Sequence, residues 1–256
     1  MRLMFLIFAA AVLFEAGAQS LENVENYSLW PRRPDELKQA RKLIAEQKGG
    51  EAVLLLQPFV SDNGVTGREA RQICGRVNVP RYLSRLHPGA TVYTVRKGDN
   101  MARIAHTQKC PQDVIMLLNG IVDPSALKIG QKLVVVPMRL RAEIRPLQQE
   151  ISVWDGDQLV ADYPLEGADA VPFKNRKTMT TKVAMREGYV DGAVIPEKSF
   201  MYPSSERVLV LENGMAIAAG QNLSRSVVFR MDQKDLNELA MMLVSGNEVQ
   251  VIYPQR

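Results

Sequence analysis

Residues 91–137 change their hydrophobic period twice within fewer than fifty positions, which few folds can accommodate. Tyr93-Thr94-Val95 alternates like a short strand. Lys97-Gly98-Asp99-Asn100 has the composition of a turn, with Asp99 or Asn100 placed to cap a helix. Met101, Ile104 and Ala105 form the apolar side of that helix. Pro111 suits the first turn of a second helix, whose inner face is Val114, Ile115 and Leu118 and whose end is Asn119-Gly120. Leu127-Lys128-Ile129-Gly130 then leads into a strand over 131–136, closed by Pro137. The pattern predicts β-α-α-β.

The flanking sequence differs in texture. Arg2 followed by an apolar run over 3–14 and the small residues Ala16-Gly17-Ala18 reads as an export signal covering 1–18, with Gln19 as the new N-terminus. The run is short for a bilayer span, and no cysteine follows it for lipid attachment. The expectation is an exported protein of the periplasm or cell envelope, without a transmembrane segment after cleavage; a buried N-terminal helix is the competing reading. Residues 19–90 then form a helical module. After a polar lead-in over 21–34, Pro34-Asp35-Glu36 opens a helix carrying Leu37, Ala40, Leu43 and Ile44, and Gly49-Gly50 stops it. Further helices are predicted over 51–60 and 66–77, separated by the turn Asp62-Asn63-Gly64. The helix pairs are similar to a tetratricopeptide-type hairpin, but no period repeats. Either a groove for a partner peptide or plain packing against the rest of the chain fits.

Charge and cysteine content narrow the partners. Net charge is +4 and no run of five like charges occurs, so a nucleic-acid arm is not supported. Cys74 and Cys110 are the only cysteines. They form one disulfide or remain as two buried thiols; sequence separation does not decide between these. No CxxC or His/Cys cluster points to a metal, and nothing implies a cofactor.

Over 91–137 the order and spacing of Tyr93-Thr94-Val95-Arg96-Lys97-Gly98-Asp99-Asn100-Met101, Ile104-Ala105, Leu117-Leu118-Asn119-Gly120 and Leu127-Lys128-Ile129-Gly130-Gln131-Lys132-Leu133 resemble a LysM domain. The resemblance implies a βααβ fold that binds N-acetylglucosamine-containing glycan in a shallow groove between two loops. Here those are Gly98, Asp99, Asn100 and Met101, and Asn119, Gly120, Ile121, Val122, Asp123 and Pro124. Glycine lets backbone approach the acetamido groups, and Met101, Ile121 and Val122 are candidates for the apolar seat of the methyl. Capping is weighed above direct contact for Asp99 and Asn119. Asn100 and Met101 depart from the threonine and leucine usual in the family. The implied partner is peptidoglycan or another N-acetylglucosamine polymer; a cell-wall enzyme is a second candidate.

Beyond Arg139 the pattern is mostly β. Strands are predicted on both sides of Asp155-Gly156-Asp157 within 150–165, then over 179–185, 207–211 and 215–219, with Glu212-Asn213-Gly214 as a hairpin turn. One helix follows: Asp232 caps it, Leu236, Leu239, Ala240 and Leu243 line a face, and Gly246 ends it before a strand over 248–253. Ile151-Ser152-Val153-Trp154-Asp155-Gly156-Asp157-Gln158-Leu159-Val160, Phe229-Arg230-Met231 and Asp235-Leu236-Asn237-Glu238-Leu239 are similar to the catalytic domain of L,D-transpeptidases. That family carries His-Gly-Cys-Ile-Arg. Here Val228 stands at the nucleophile position and Ser226 at the histidine position, and the second family histidine is missing near Ile217-Ala218-Ala219-Gly220. No Cys or His occurs after Cys110 at all. Acyl transfer through sulfur needs a thiolate and a base in reach. Ser224 or Ser226 lacks a histidine partner, and Arg230 fits an internal salt bridge with Asp232, Asp235 or another acid better than a substrate contact.

The fold class expected is therefore α+β: a helical module (19–90), a LysM domain (91–137) and a degenerate transpeptidase-like domain (138–256). The function expected is glycan binding at the cell wall without catalysis, with the C-terminal domain holding stem peptide or another wall protein. The alternatives are a wall-modifying enzyme using unrecognised residues, or a scaffold that recruits a synthase or hydrolase.

Overall fold

The computed structural model describes residues 35–169, 177–196, 202, 205–220, 223, 225 and 227–253. The export signal, the lead-in over 21–34, Ser224 and Ser226 lie outside the described residues. The fold is α+β, with a mostly β C-terminal region as the sequence predicts.

The helical module is built from α1 (Asp35–Ala45), α2 (Gly49–Leu56), a 3-10 turn (Gln57–Phe59) and α3 (Val65–Tyr82). Leu37, Ala40, Ala52, Val53, Leu56, Ala70 and Cys74 bury together, but Trp154 and Leu159 of the β region complete the cluster. The module therefore shares its core with the strands beside it. The sequence ends α3 near Val77, whereas the helix continues through Pro80 to Tyr82. Packing overrides the proline's propensity there: Tyr82 is buried, and Asn78 Nδ2 donates to Leu159 O at 2.7 Å.

The next unit is β1 (Thr91–Thr94), α4 (Met101–Gln108), α5 (Gln112–Asn119) and β2 (Lys132–Val135). Strands β1 and β2 pair antiparallel, Thr91 opposite Val135 and Thr94 opposite Lys132. Met101, Ile104, Val114, Ile115, Leu118 and Leu133 fill the space between helices and hairpin.

The C-terminal region contributes β3 (Leu140–Arg145), β4 (Glu150–Asp155), β5 (Gln158–Pro164), β6 (Gly167–Asp169), β7 (Met179–Val190), β8 (Ala193–Pro196), β9 (Glu206–Leu211), β10 (Ala216–Ala218), β11 (Val228–Arg230), α6 (Gln233–Met242) and β12 (Glu248–Val251). The sheet runs β5-β4-β3-β12-β7-β9-β10-β11-β6, with β8 paired to β7. Along β9, β10 and β11 the side chains alternate between two cores. Leu209, Leu211, Ile217 and Phe229 join the main core with Leu236 and Leu239 of α6, while Val208, Val210, Ala216, Ala218 and Val228 form a smaller cluster. The main core also takes in the β-α-α-β unit and Val79 and Tyr82 of α3, so burial runs continuously through the chain.

Strand β5 lies at the edge of the sheet, and α3 lies against it. A Cβ at Gly75 would sit 2.6 Å from Asp162 N, so only glycine permits this backbone-to-backbone approach. Beneath it lies a buried polar network. Arg71, with no exposed surface, donates to Val60 O at 2.8 Å, Asp62 O at 2.7 Å and Glu150 Oε1 at 2.6 Å. Ser152 Oγ donates to Asp162 Oδ1 at 2.6 Å and accepts from Arg145 Nη1 at 3.0 Å, and Arg145 also pairs with Glu143. The module is welded to the sheet by desolvated charge as well as by apolar contact.

Candidate glycan-binding loops

The first loop, 96–100, leaves β1 and enters α4. Gly98 takes a left-handed φ of 88° with nothing within 4 Å of where a Cβ would be. The Asp99 carboxylate accepts from Arg96 N at 2.8 Å and from Tyr93 Oη at 2.7 Å, and these two bonds, the backbone one foremost, hold its pKa below the usual range. Asp99 thus ties the loop back onto β1, and capping falls to Asn100, which accepts from Arg103 N at 2.8 Å. Arg103 Nη1 reaches back to Gly98 O at 3.1 Å.

The Met101 side chain is 2% exposed and belongs to the core. This corrects the reading that it offers a seat to an acetyl methyl: the first helical position points inward here, between the helices and the hairpin.

The second loop begins where α5 ends. Gly120 at φ 63° makes the left-handed cap, and Ile121 N donates to Met116 O at 2.9 Å. Asn119 does not cap, contrary to the sequence reading. Its Nδ2 donates to Ile115 O and Val134 O, both at 2.8 Å, and its Oδ1 accepts from Val134 N at 2.8 Å, so it ties the helix end to β2. Ile121 is half-buried against the core. Val122 is 88% exposed, and Asp123 and Pro124 are exposed beside it. Asp123 Oδ1 closes a local turn by accepting from Ser125 N at 2.8 Å and Ser125 Oγ at 2.7 Å, which lowers its pKa.

The loop returns through Lys128, Ile129 and Gly130. Val95 N donates to Gln131 O at 2.9 Å and Gly130 N to Val95 O at 2.8 Å, which sets this turn directly beside the first loop. Ile129 is 72% exposed. It stood in the sequence motif but not among the candidate contacts. An isoleucine between Lys128 and Gly130 in a turn has no face against which to bury, and that was the available signal. These loops therefore present two exposed aliphatic side chains, one on the second loop and one on the turn beside the first, and the glycines 98, 120 and 130 have no atom within 4 Å of their Cβ positions.

The same unit is anchored by its other end. α4 and α5 form a hairpin joined at 109–111, where Met138 N donates to Lys109 O at 2.8 Å. Asp113 at the start of α5 pairs with Arg186 at 2.8 Å and with Arg207 at 3.1 Å, and Arg186 Nη1 also donates to Ala240 O at 2.8 Å. Helices of eight residues are about 12 Å long, so the loops stand about that far from the anchored end.

In the C-terminal region Val228 is 1% exposed among Val208, Val210, Ala216 and Ala218. Arg230 Nη1 donates to Ala219 O at 2.8 Å, and Asp232 caps α6 by accepting from Lys234 N at 2.8 Å. Cys74 and Cys110 are free and buried, in different clusters, and burial raises their thiol pKa values to about 12 and about 11. No helix among the described residues is long and apolar enough to cross a membrane.

No curated protein matches the chain. Among solved structures it is similar to an L,D-transpeptidase from Mycobacterium smegmatis at 13% identity and a TM-score of 0.30, over 49% of this chain and 65% of that one. It is also similar to Bd1075 of Bdellovibrio bacteriovorus at 16% identity and a TM-score of 0.30, over 46% of this chain and 48% of that one. L,D-transpeptidase 1 of Mycobacterium tuberculosis matches at 11% identity and a TM-score of 0.30, over 48% and 67%. The chain spans less than two thirds of the first two, and likenesses this slight say nothing about chemistry. The family model of the LysM domain, by contrast, matches residues 93–136. Residues 93–136 are a LysM domain, a module for glycans of the peptidoglycan and chitin type.

Proposed function

We propose that this protein is an exported, non-catalytic cell-wall protein that holds peptidoglycan through the loops at 98–100 and 119–124 together with Ile129. The observation that carries the reading is the exposed pair Val122 and Ile129, set among glycines that leave the backbone open within a LysM domain. An N-acetyl group needs an apolar seat for its methyl and close approach to backbone for its amide; Val122 and Ile129 are exposed aliphatics, and the glycines leave the backbone uncovered by side chains. A shallow site of this kind binds weakly, because few groups are desolvated and the association entropy is lost in full.

The non-catalytic part of the reading is supported by sequence and burial together. The chain has neither Cys nor His after Cys110, and Val228 sits within an aliphatic cluster. Both thiols are buried with raised pKa values, so neither supplies a thiolate near neutral pH. Sedimentation with purified sacculi tests the binding; protein left wholly in the supernatant at low and moderate salt contradicts it. Muropeptide analysis after incubation tests the absence of catalysis, and new crosslinks or released fragments would show an enzyme instead.

A further inference from the structure

A cleft of about 360 Å³ lies between the anchored side of the LysM domain and the C-terminal region. Its LysM wall is one face of α4, where Ala102, Ala105, His106 and Lys109 recur at i, i+3, i+4 and i+7. Met138, Leu140, Met242 and Val244 give the facing wall an apolar character. The lining carries no carboxylate; of its cations Arg186 is buried and already paired with Asp113, and Lys109 is exposed. Gln112 also faces the cleft, and its amide has only a 4.0 Å contact with the Met116 sulfur. Small apolar surfaces with the Lys109 ammonium at one end suit a ligand that carries short aliphatic side chains and a terminal carboxylate.

The cleft wall starts next to the first sugar loop in sequence. Ala102 follows Met101, the last residue of the first loop, so the cleft wall begins where the loop ends. From Ala102 to Lys109 the wall runs about 10 Å at 1.5 Å per residue. An extended peptide of three to four residues spans about 10–14 Å. A short peptide hanging from a sugar held at the loops is therefore long enough to lay its end on Lys109. Resting on the peptidoglycan reading above, we propose that this cleft receives the stem peptide of the bound glycan: its apolar walls take the alanine side chains and Lys109 takes the C-terminal carboxylate. The cleft would then distinguish peptidoglycan from chitin, which carries no peptide.

Calorimetric titration of the full chain tests this with three probes: a sugar-free stem tetrapeptide with a free C-terminal carboxylate, the same peptide as its C-terminal amide, and a chitin tetrasaccharide. The free peptide should bind saturably. Amidation and Lys109→Glu should each weaken it about tenfold, the loss of one charge-assisted contact. Ala102→Trp, at an exposed position on the cleft wall, should weaken it as well. Lys109→Glu lies outside the sugar loops and should leave tetrasaccharide binding unchanged, which also shows that the variant is folded. No saturable peptide binding, or equal affinity for Lys109→Glu and the parent, overturns the proposal. Tetrasaccharide binding without peptide binding defeats the cleft alone; peptide binding without sugar binding defeats the glycan reading and leaves the cleft standing.

Discussion

Replacing Arg71 with methionine should be among the most damaging single changes in this chain, and its cost follows from the network it occupies. The guanidinium is fully buried and serves two carbonyls, Val60 O and Asp62 O, as well as Glu150 Oε1 at 2.6 Å. Methionine fills much of the volume but donates nothing. Two carbonyls, of which that of Val60 is buried, lose a charged donor, and among the described residues Glu150 keeps Arg145 at 3.6 Å as its ionic partner. Its Oε2 already has no hydrogen bond, so the remaining charge is poorly compensated. Breaking one side of a buried ion pair costs about 3–5 kcal/mol. At about 2–4 °C per kcal/mol for a chain of this size, the melting point should fall by roughly 6–20 °C. Thermal unfolding followed by circular dichroism reads this directly. Adding Glu150→Gln to Arg71→Met should restore part of the loss, because it removes the stranded charge. A melting point within about 2 °C of the parent, or a double variant as unstable as the sum of both singles, would refute the account of this weld.

Asp162 should make the protein less stable as pH rises. Burial, reinforced by the charge of Glu150, raises its pKa to about 7 against the Ser152 bond and the Arg71 and Arg145 charges. With the folded pKa above the unfolded one, its contribution is complete below about pH 4 and is lost as pH rises through about 7. Asp162→Asn should flatten the stability profile across that window; an unchanged slope in urea unfolding from pH 4 to 8 argues against this. The two thiols should stay silent toward a disulfide-exchange reagent in the native protein and both react after unfolding in guanidinium, whereas prompt reaction without denaturant would contradict their burial. Val122→Asp and Ile129→Asp should each weaken glycan binding about tenfold or more while shifting stability by less than about 0.5 kcal/mol, since both positions are exposed. Unaltered binding to immobilised glycan would remove these residues from the site.

Much of the LysM domain was legible because its signals are local. The turn at Gly98, the cap at Asn100 and the left-handed Gly120 each act within a few residues, and the two strands they join need no distant partner. The hairpin at 212–214 and the Asp232 cap of α6 were readable for the same reason. Roles that depend on what lies across space were not. Asn119 has the composition of a cap but meets Val134, and Met101 follows the loop yet turns inward. Strand β3 alternates Leu140, Ala142 and Ile144 with Arg141, Glu143 and Arg145, but six residues of that pattern without a turn signal beside them do not name their partner strand. It is a strand because β12, about a hundred residues later, pairs beside it and because its charged face finds partners in Ser152, Glu150 and Arg71's network. Helix α3 passes Pro80 because Tyr82 buries in the main core and Asn78 donates to Leu159 O of the sheet. Propensity and turn chemistry are properties of a few consecutive residues, so the sequence alone settled the small βααβ unit. Which side chains lose water, and against which distant groups, is set only when the whole chain packs, and that fixed the weld at Arg71 and the cleft beside Lys109.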